Sequence, residues 1–94
     1  MYKIFVSDAA KTDLSEIFDY IASDNLEQAE KFIDKMEAEI NGLSIFPYKC
    51  REYDGSNKSF ANCRVLIFYP YKIFYKTIND DIYIVQIKHG ARKD

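Results

Sequence analysis

The sequence predicts an α+β domain in the order β-α-α-β-β-β, with a helical hairpin packed on one face of a mostly antiparallel four-stranded sheet. Two observations support this prediction. Apolar residues recur with helical spacing between positions 14 and 43, and the period changes to that of strands from position 63 onward. The chain of 94 residues is long enough for one core but not for two, so residues 1–94 are expected to form a single domain.

The first strand is expected at residues 2–6, and the first helix directly after it. Ser7 and Asp8 offer side-chain oxygens that can accept hydrogen bonds from the free amides at a helix start. The apolar positions that follow are three or four residues apart: Leu14, Ile17, Phe18 and Ile21. This spacing predicts an amphipathic helix with one buried stripe.

A second helix is predicted after the polar break at residues 23–25. Asn25, followed three residues later by Gln28, resembles a capping box. Apolar residues then keep the helical spacing: Ala29, Phe32, Ile33, Met36, Ile40 and Leu43. Gly42 weakens the last turn and Pro47 prevents continuation. The two helices should therefore form an antiparallel hairpin with a tight connection.

Residues 48–62 are polar and contain an Asp-Gly and a Ser-Asn pair, which indicates a loop. Three strands are predicted after it, at residues 63–68, 71–78 and 82–89. Tyr69-Pro70 forms a turn or bulge between the first two, and residues 79–81 close the second hairpin. Such a sheet has one face covered by helices and one face open.

Strand alternation assigns side chains to the two faces. Lys72 and Lys76 share a face with Phe74, whereas Arg64 shares its face with Leu66 and Phe68. A charged side chain cannot point into an apolar core without a partner. We therefore expect Lys72 and Lys76 to mark an open, concave face that is both aromatic and basic.

The charge is distributed unevenly along the chain, although the net charge of −2 gives no reason to expect nucleic-acid binding. Residues 1–47 carry four basic and ten acidic side chains, whereas residues 48–94 carry nine basic and five acidic ones. Either the second half contacts something anionic, or the helices carry solubilising acids while the loops carry lysines. Both interpretations stay open at this stage.

The sequence shows no pattern typical of a membrane-spanning helix, a signal peptide or a metal site. No apolar run approaches the roughly 20 residues that a membrane-spanning helix requires, and the first residues continue directly into an acidic helix, so a cytoplasmic protein is expected. Cys50 and Cys63 lack the paired spacing of a zinc site. We therefore expect free thiols, no bound metal and no cofactor.

The helical segment DLSEIFDYIASDNLEQAEKFIDKMEAEINGLSIFP resembles the helical hairpin of the RelE/ParE superfamily of type II toxin–antitoxin toxins. The segment YKIFYKTINDDIYIVQIKHGAR resembles that superfamily's central strands and closing strand. The pattern of alternating apolar and aromatic residues that ends in His-Gly-x-Arg most resembles the ParE-like, plasmid-stabilisation branch. The resemblance extends from Val6 to Arg92.

This resemblance implies a toxin that arrests growth and is neutralised by a cognate antitoxin protein encoded beside it. ParE-like members act on DNA gyrase, whereas RelE-like members cut mRNA on the ribosome. The resemblance favours the ParE-like activity, in which the chain binds a protein target. Toxins of this layout are wrapped by an extended or helical antitoxin segment in a hetero-oligomer, and the first strand is a candidate edge for such contacts.

The alternative implied by the resemblance is a RelE-like, ribosome-dependent endoribonuclease. Its catalytic residues would fall at His89, as the base, and at Lys72, Arg64 and Arg92, which would hold the phosphate. Against it, an ammonium at position 72 is a poorer phosphate clamp than a guanidinium, and a pI near 5.4 suits binding to RNA poorly. For Lys88, His89 and Arg92 we favour contact with a partner, or simply solvation of the strand end. A third possibility is a non-toxic member that only binds its antitoxin.

Overall fold

The computed structural model describes residues 1–90, and the predicted order of helices and strands is observed within them. The elements are β1 (Lys3–Val6), α1 (Asp8–Ala22), α2 (Leu26–Gly42), a 3₁₀ turn (Lys58–Phe60), β2 (Arg64–Phe68), β3 (Tyr71–Ile78) and β4 (Asp81–His89). The strand boundaries lie within one residue of the predicted ones. The 3₁₀ turn falls in the segment that was expected to be loop.

The four strands form one mixed sheet in the order β1-β4-β3-β2. β2 pairs antiparallel with β3, and β3 pairs antiparallel with β4, whereas β1 lies parallel to β4. The predicted mostly antiparallel sheet is therefore confirmed. The first and last strands are neighbours, and β1 forms an edge of the sheet, as the sequence indicated.

Both helices begin at the predicted caps. The Ser7 hydroxyl accepts a hydrogen bond from the amide of Ala10 at 3.0 Å, and the Asn25 side chain accepts one from the amide of Gln28 at 3.0 Å. These bonds satisfy amides that have no partner inside the helix, which fixes where each helix starts. No helix in the described residues is long and apolar enough to cross a membrane.

The main core lies between the helical hairpin and one face of the sheet. Its buried residues include Ile17 of α1, Met36 and Ile40 of α2, and Tyr75 of β3. The Tyr75 ring is completely buried, and its hydroxyl donates to the Pro47 carbonyl at 2.9 Å. Burial raises the pKa of Tyr75, because the low-polarity surroundings disfavour the phenolate.

The opposite face of the sheet is only partly open, which corrects the sequence expectation. Phe74 was placed on an exposed concave face, but it is completely buried because the segment before β2 folds over it. Phe60 from the 3₁₀ turn stacks on Phe74 with ring centroids 3.9 Å apart and an interplanar angle of 5°. Tyr53 packs edge-on against both rings. A second, smaller core therefore lies under this segment, with Cys63 and Val65 as its other buried members.

Candidate functional site

Arg64 lies on the helix-packed face of β2, where it ties down the segment that follows α2. Its guanidinium donates to the Cys50 carbonyl at 2.6 Å and to the Glu52 carboxylate at 3.4 Å. The guanidinium carbon also lies 5.1 Å from the centroid of the Tyr48 ring, a cation–π contact. These contacts use both terminal nitrogens of the guanidinium, so Arg64 has a structural role.

His89 lies at the end of β4 on the same helix-packed face, but at the far end of the sheet. It is opposite Tyr71 in the pairing of β3 with β4, and the two rings meet edge-on with centroids 5.4 Å apart. Tyr71 in turn packs edge-on against Phe32 of α2 at 5.8 Å. The imidazole therefore lies in an aromatic setting between the sheet and the second helix.

Lys72 lies on the other face of the sheet. It is the neighbour of buried Ile73, whose side chain belongs to the main core, so alternation directs Lys72 away from the helices. Its partner across the sheet is Lys88 of β4, and the Lys88 ammonium lies 5.8 Å from the centroid of the Phe60 ring. Two lysines therefore meet on this face, beside the stacked rings.

The four residues of the nuclease hypothesis are not brought together by the part of the chain that the structure describes. Lys72 is separated from Arg64 and His89 by the thickness of the sheet. Arg64 pairs with Tyr75 and His89 pairs with Tyr71, a difference of four residues or about 13 Å along the strands, and two strand spacings add about 10 Å across them. Arg92 lies outside the described residues. A catalytic role for this set stays a prediction that the geometry does not favour.

A groove of about 760 Å³ runs beside His89, between the helices and the ends of β3 and β4. Its apolar and aromatic lining comes from four elements: Ile17, Tyr20, Ile21, Phe32, Tyr71 and Ile87. Acidic residues of α1, Asp13 and Glu16, and basic residues of β4, Lys88 and His89, also line it. Such a surface suits a polypeptide segment with one apolar side and mixed charge.

A β-bulge positions the wall of this groove. The pairing of β3 with β4 shifts register between Phe74 and Tyr75, so Val85 is the extra residue of β4. On its other side, β4 pairs with β1 only as far as Ile84. Past that point the Val85 carbonyl accepts from the Ser7 hydroxyl at 2.7 Å, and the Ile87 amide donates to the Asp13 carboxylate at 2.8 Å. The bulged part of β4 is thereby fastened to α1 and to its N-cap.

Gly90 allows the chain to leave β4 next to the turn between β2 and β3. Its amide donates to the Pro70 carbonyl. A Cβ atom at position 90 would lie only 2.9 Å from that carbonyl oxygen, closer than real Cβ contacts come. The glycine after the histidine is therefore required by close backbone approach.

Comparison with known proteins identifies the family. The family described as the ParE toxin of the type II toxin–antitoxin system parDE matches residues 4–94. The chain belongs to the ParE toxin family. Its fold matches a solved structure described as the chromosomal ParDE toxin–antitoxin system from P. aeruginosa, with a TM-score of 0.78 over 95% of this chain and 96% of that chain at 19% identity. No match was found among curated proteins.

In this ParE toxin, sequence reasoning missed two residues: Asp13, which lines the groove, and Phe60, which covers the second core on the other face of the sheet. Asp13 carries a hydrogen bond to a strand 74 positions later, and Phe60 covers a ring on β3, so neither contact leaves a local sequence signal. Within residues 1–90 no group of His, Cys, Asp or Glu side chains is arranged to hold a metal ion, and both cysteines are free thiols.

Proposed function

We propose that this ParE-family chain is a growth-arresting toxin that acts in the cytoplasm by binding DNA gyrase and is neutralised by a cognate antitoxin protein. The proposal treats the chain as a binding protein whose effect comes from docking on its target. Chemistry on RNA is the competing activity.

The separation of Arg64, Lys72 and His89 is the observation that carries this proposal. Metal-free cleavage of RNA needs a base within hydrogen-bonding distance of the 2′-hydroxyl. It also needs cations within hydrogen-bonding distance of the adjacent phosphate, so the base and the cations must face one site. Here Arg64 is held by Cys50 and Glu52, and Lys72 lies on the opposite face from His89. This arrangement favours binding of a protein over ribonuclease chemistry.

The groove beside His89 supports the antitoxin part of the proposal. The exposed Tyr20 ring lines it and offers apolar area to an incoming segment. Aromatic side chains at such positions contribute strongly to protein–protein binding, because they bury a large area with little loss of conformational freedom. An amphipathic antitoxin segment laid in this groove would form the hetero-oligomer.

The target is tested by inducing the protein in cells and following RNA and DNA together. The expected result is growth arrest with DNA breaks and a DNA-damage response, without new mRNA 5′ ends, and with the same outcome for His89→Ala. New 5′ ends phased to codons, and lost in His89→Ala, would establish the ribonuclease instead. No growth arrest in the absence of antitoxin would indicate a member that only binds its antitoxin.

The antitoxin site is tested with two surface variants. Tyr20→Lys places a charge in the groove and should weaken binding of the antitoxin encoded beside the toxin by tenfold or more, roughly 1.4 kcal/mol. Ile67→Lys, an exposed apolar position on β2 outside the groove, is the matched control and should bind like the unmodified chain. Undiminished binding of Tyr20→Lys would place the antitoxin elsewhere.

A further inference from the structure

Within the described residues 1–90, the outer edge of β1 has backbone groups that no other strand pairs with. The amides of Lys3 and Ser7 donate inward to β4, to the carbonyls of Asp80 and Ile84 at 3.3 and 3.0 Å. Because backbone groups alternate along a strand, the amides and carbonyls of Ile4 and Val6 face away from β4. Such an edge is a template for pairing with another strand.

The edge is bounded at both ends. On one side, the Tyr2 amide, which also faces outward, donates to the Ser44 carbonyl at 3.1 Å. On the other side, Asp8 begins α1 and the chain leaves the sheet. Only Ile4 and Val6 therefore remain to pair outward. A partner strand must match a site of two residues.

A second copy of β1 matches this site in one antiparallel register. With the two-fold axis at Phe5, Ile4 of one copy lies opposite Val6 of the other, so all outward groups pair and four backbone hydrogen bonds form. Moving the register by two residues in one direction places Val6 against Tyr2, where Ser44 already lies beside the strand and excludes a partner. Moving it the other way places α1 against the strand. Both shifts halve the number of bonds.

Side chains on the open face agree with this register. Phe5 is 46% exposed and stacks on Tyr83 with ring centroids 5.3 Å apart and an interplanar angle of 18°. At the two-fold axis, Phe5 faces its own copy in a non-hydrogen-bonded pair, where side chains come closest. The two stacked pairs then form one row of four rings across the joined sheets.

Charge complementarity points to the same partner. In this register Lys3 lies opposite Ser7 of the other copy, next to that copy's Asp8. Lys3 and Asp8 are both exposed, and a lysine side chain is long enough to reach the neighbouring carboxylate. The two-fold axis repeats the ion pair, so each dimer contains it twice.

We infer that this chain forms a two-fold dimer through antiparallel pairing of its β1 edges, with Phe5 at the axis and Lys3 paired with Asp8 of the second copy. The joined sheets have eight strands. The contact is short, so the dimer is weak and depends on protein concentration. The inference is independent of the toxin's target and can be tested on the isolated chain.

The test is sedimentation equilibrium of the protein made by cell-free synthesis, over about a hundredfold range of concentration. The unmodified chain should shift from the monomer mass to the dimer mass. Phe5→Lys sets like charges opposite each other at the axis and should remain a monomer throughout. Ile67→Lys makes the same kind of change at an exposed position on the opposite edge strand, β2, and should dimerise normally.

A charge exchange keeps the test decisive if Phe5→Lys affects folding. Lys3→Glu should weaken the dimer by about tenfold, because each interface would then contain two repelling pairs, and adding Asp8→Lys should restore it. A monomer at every concentration would overturn the inference and leave the edge to a strand of another protein. Failure of Asp8→Lys to rescue Lys3→Glu, or dimer loss in Ile67→Lys, would overturn it as well.

Discussion

Replacing Asp13 by alanine tests whether the bulge in β4 is held in place by α1. The Asp13 carboxylate accepts the Ile87 amide at 2.8 Å, and this bond fastens the groove wall to the first helix. Without the carboxylate, the Ile87 amide loses its protein acceptor. The site is only partly buried, so water can replace part of the interaction.

The expected loss can be worked out from two opposing contributions. A hydrogen bond to a charged acceptor contributes about 1.5–3 kcal/mol to stability. Alanine has a higher helix propensity than aspartate, which offsets roughly 0.5 kcal/mol of that loss in α1. Asp13→Ala should therefore destabilise the fold by about 1–2.5 kcal/mol, which lowers the Tm by about 4–20 °C in a domain of this size.

Urea unfolding followed by circular dichroism measures this loss. Asp19→Ala is the matched control, because Asp19 is exposed on the same helix and its replacement brings the same gain in propensity. Asp13→Asn keeps an acceptor oxygen and should lie between the two. If Asp13→Ala is as stable as Asp19→Ala, the hydrogen bond does not hold the bulge and the reasoning fails.

Three further predictions concern stability. In urea unfolding, Gly90→Ala should destabilise the fold by about 1–2 kcal/mol, because the added Cβ meets a backbone carbonyl. Gly42→Ala should stabilise α2 by up to about 1 kcal/mol, because nothing lies within 4 Å of its Cβ position. Equal effects of the two variants would contradict this prediction. Because burial raises the pKa of Tyr75, its contribution to stability should be constant below the ordinary tyrosine pKa of about 10 and should fall above it. Tyr75→Phe should flatten this alkaline fall and should cost about 1–3 kcal/mol at neutral pH, because the bond to Pro47 is lost. An unchanged alkaline profile in urea unfolding would contradict this prediction. Arg64→Lys should lower stability by about 1–2 kcal/mol in thermal unfolding, because a lysine cannot reproduce the two contacts of the guanidinium. Growth arrest should be unchanged. Lost toxicity in a folded variant would contradict a structural role for Arg64.

The helices and strands could be predicted because each depends on local spacing. Ser7 and Asn25 cap the helices as their side chains indicate, and the apolar positions between them follow the helical period. The cover over Phe74 could not be predicted in this way. Phe60 reaches it from a segment whose composition indicates only a loop, and stacking between rings from different segments is decided by tertiary packing.

The candidate site was predicted less well, because the sequence does not give the register in which β2 pairs with β3. Alternation grouped Arg64 with Leu66, but only the pairing of Leu66 with Ile73 shows that this is the face opposite Lys72. A shift of one residue would have placed both cations on one side. The contact of Asp13 with the Ile87 amide likewise joins residues 74 positions apart, which no local sequence pattern reveals.

The central claim, that the chain acts by binding gyrase and not by cutting RNA, is tested most directly with purified components. Purified DNA gyrase and relaxed plasmid are incubated with the chain, with His89→Ala and with Lys72→Ala, and supercoiling and DNA cleavage are read on one gel. The account predicts loss of supercoiling or accumulation of cleaved DNA with the unmodified chain and with His89→Ala alike. Unaffected gyrase, together with cleavage of ribosome-bound mRNA that disappears in His89→Ala, would contradict it.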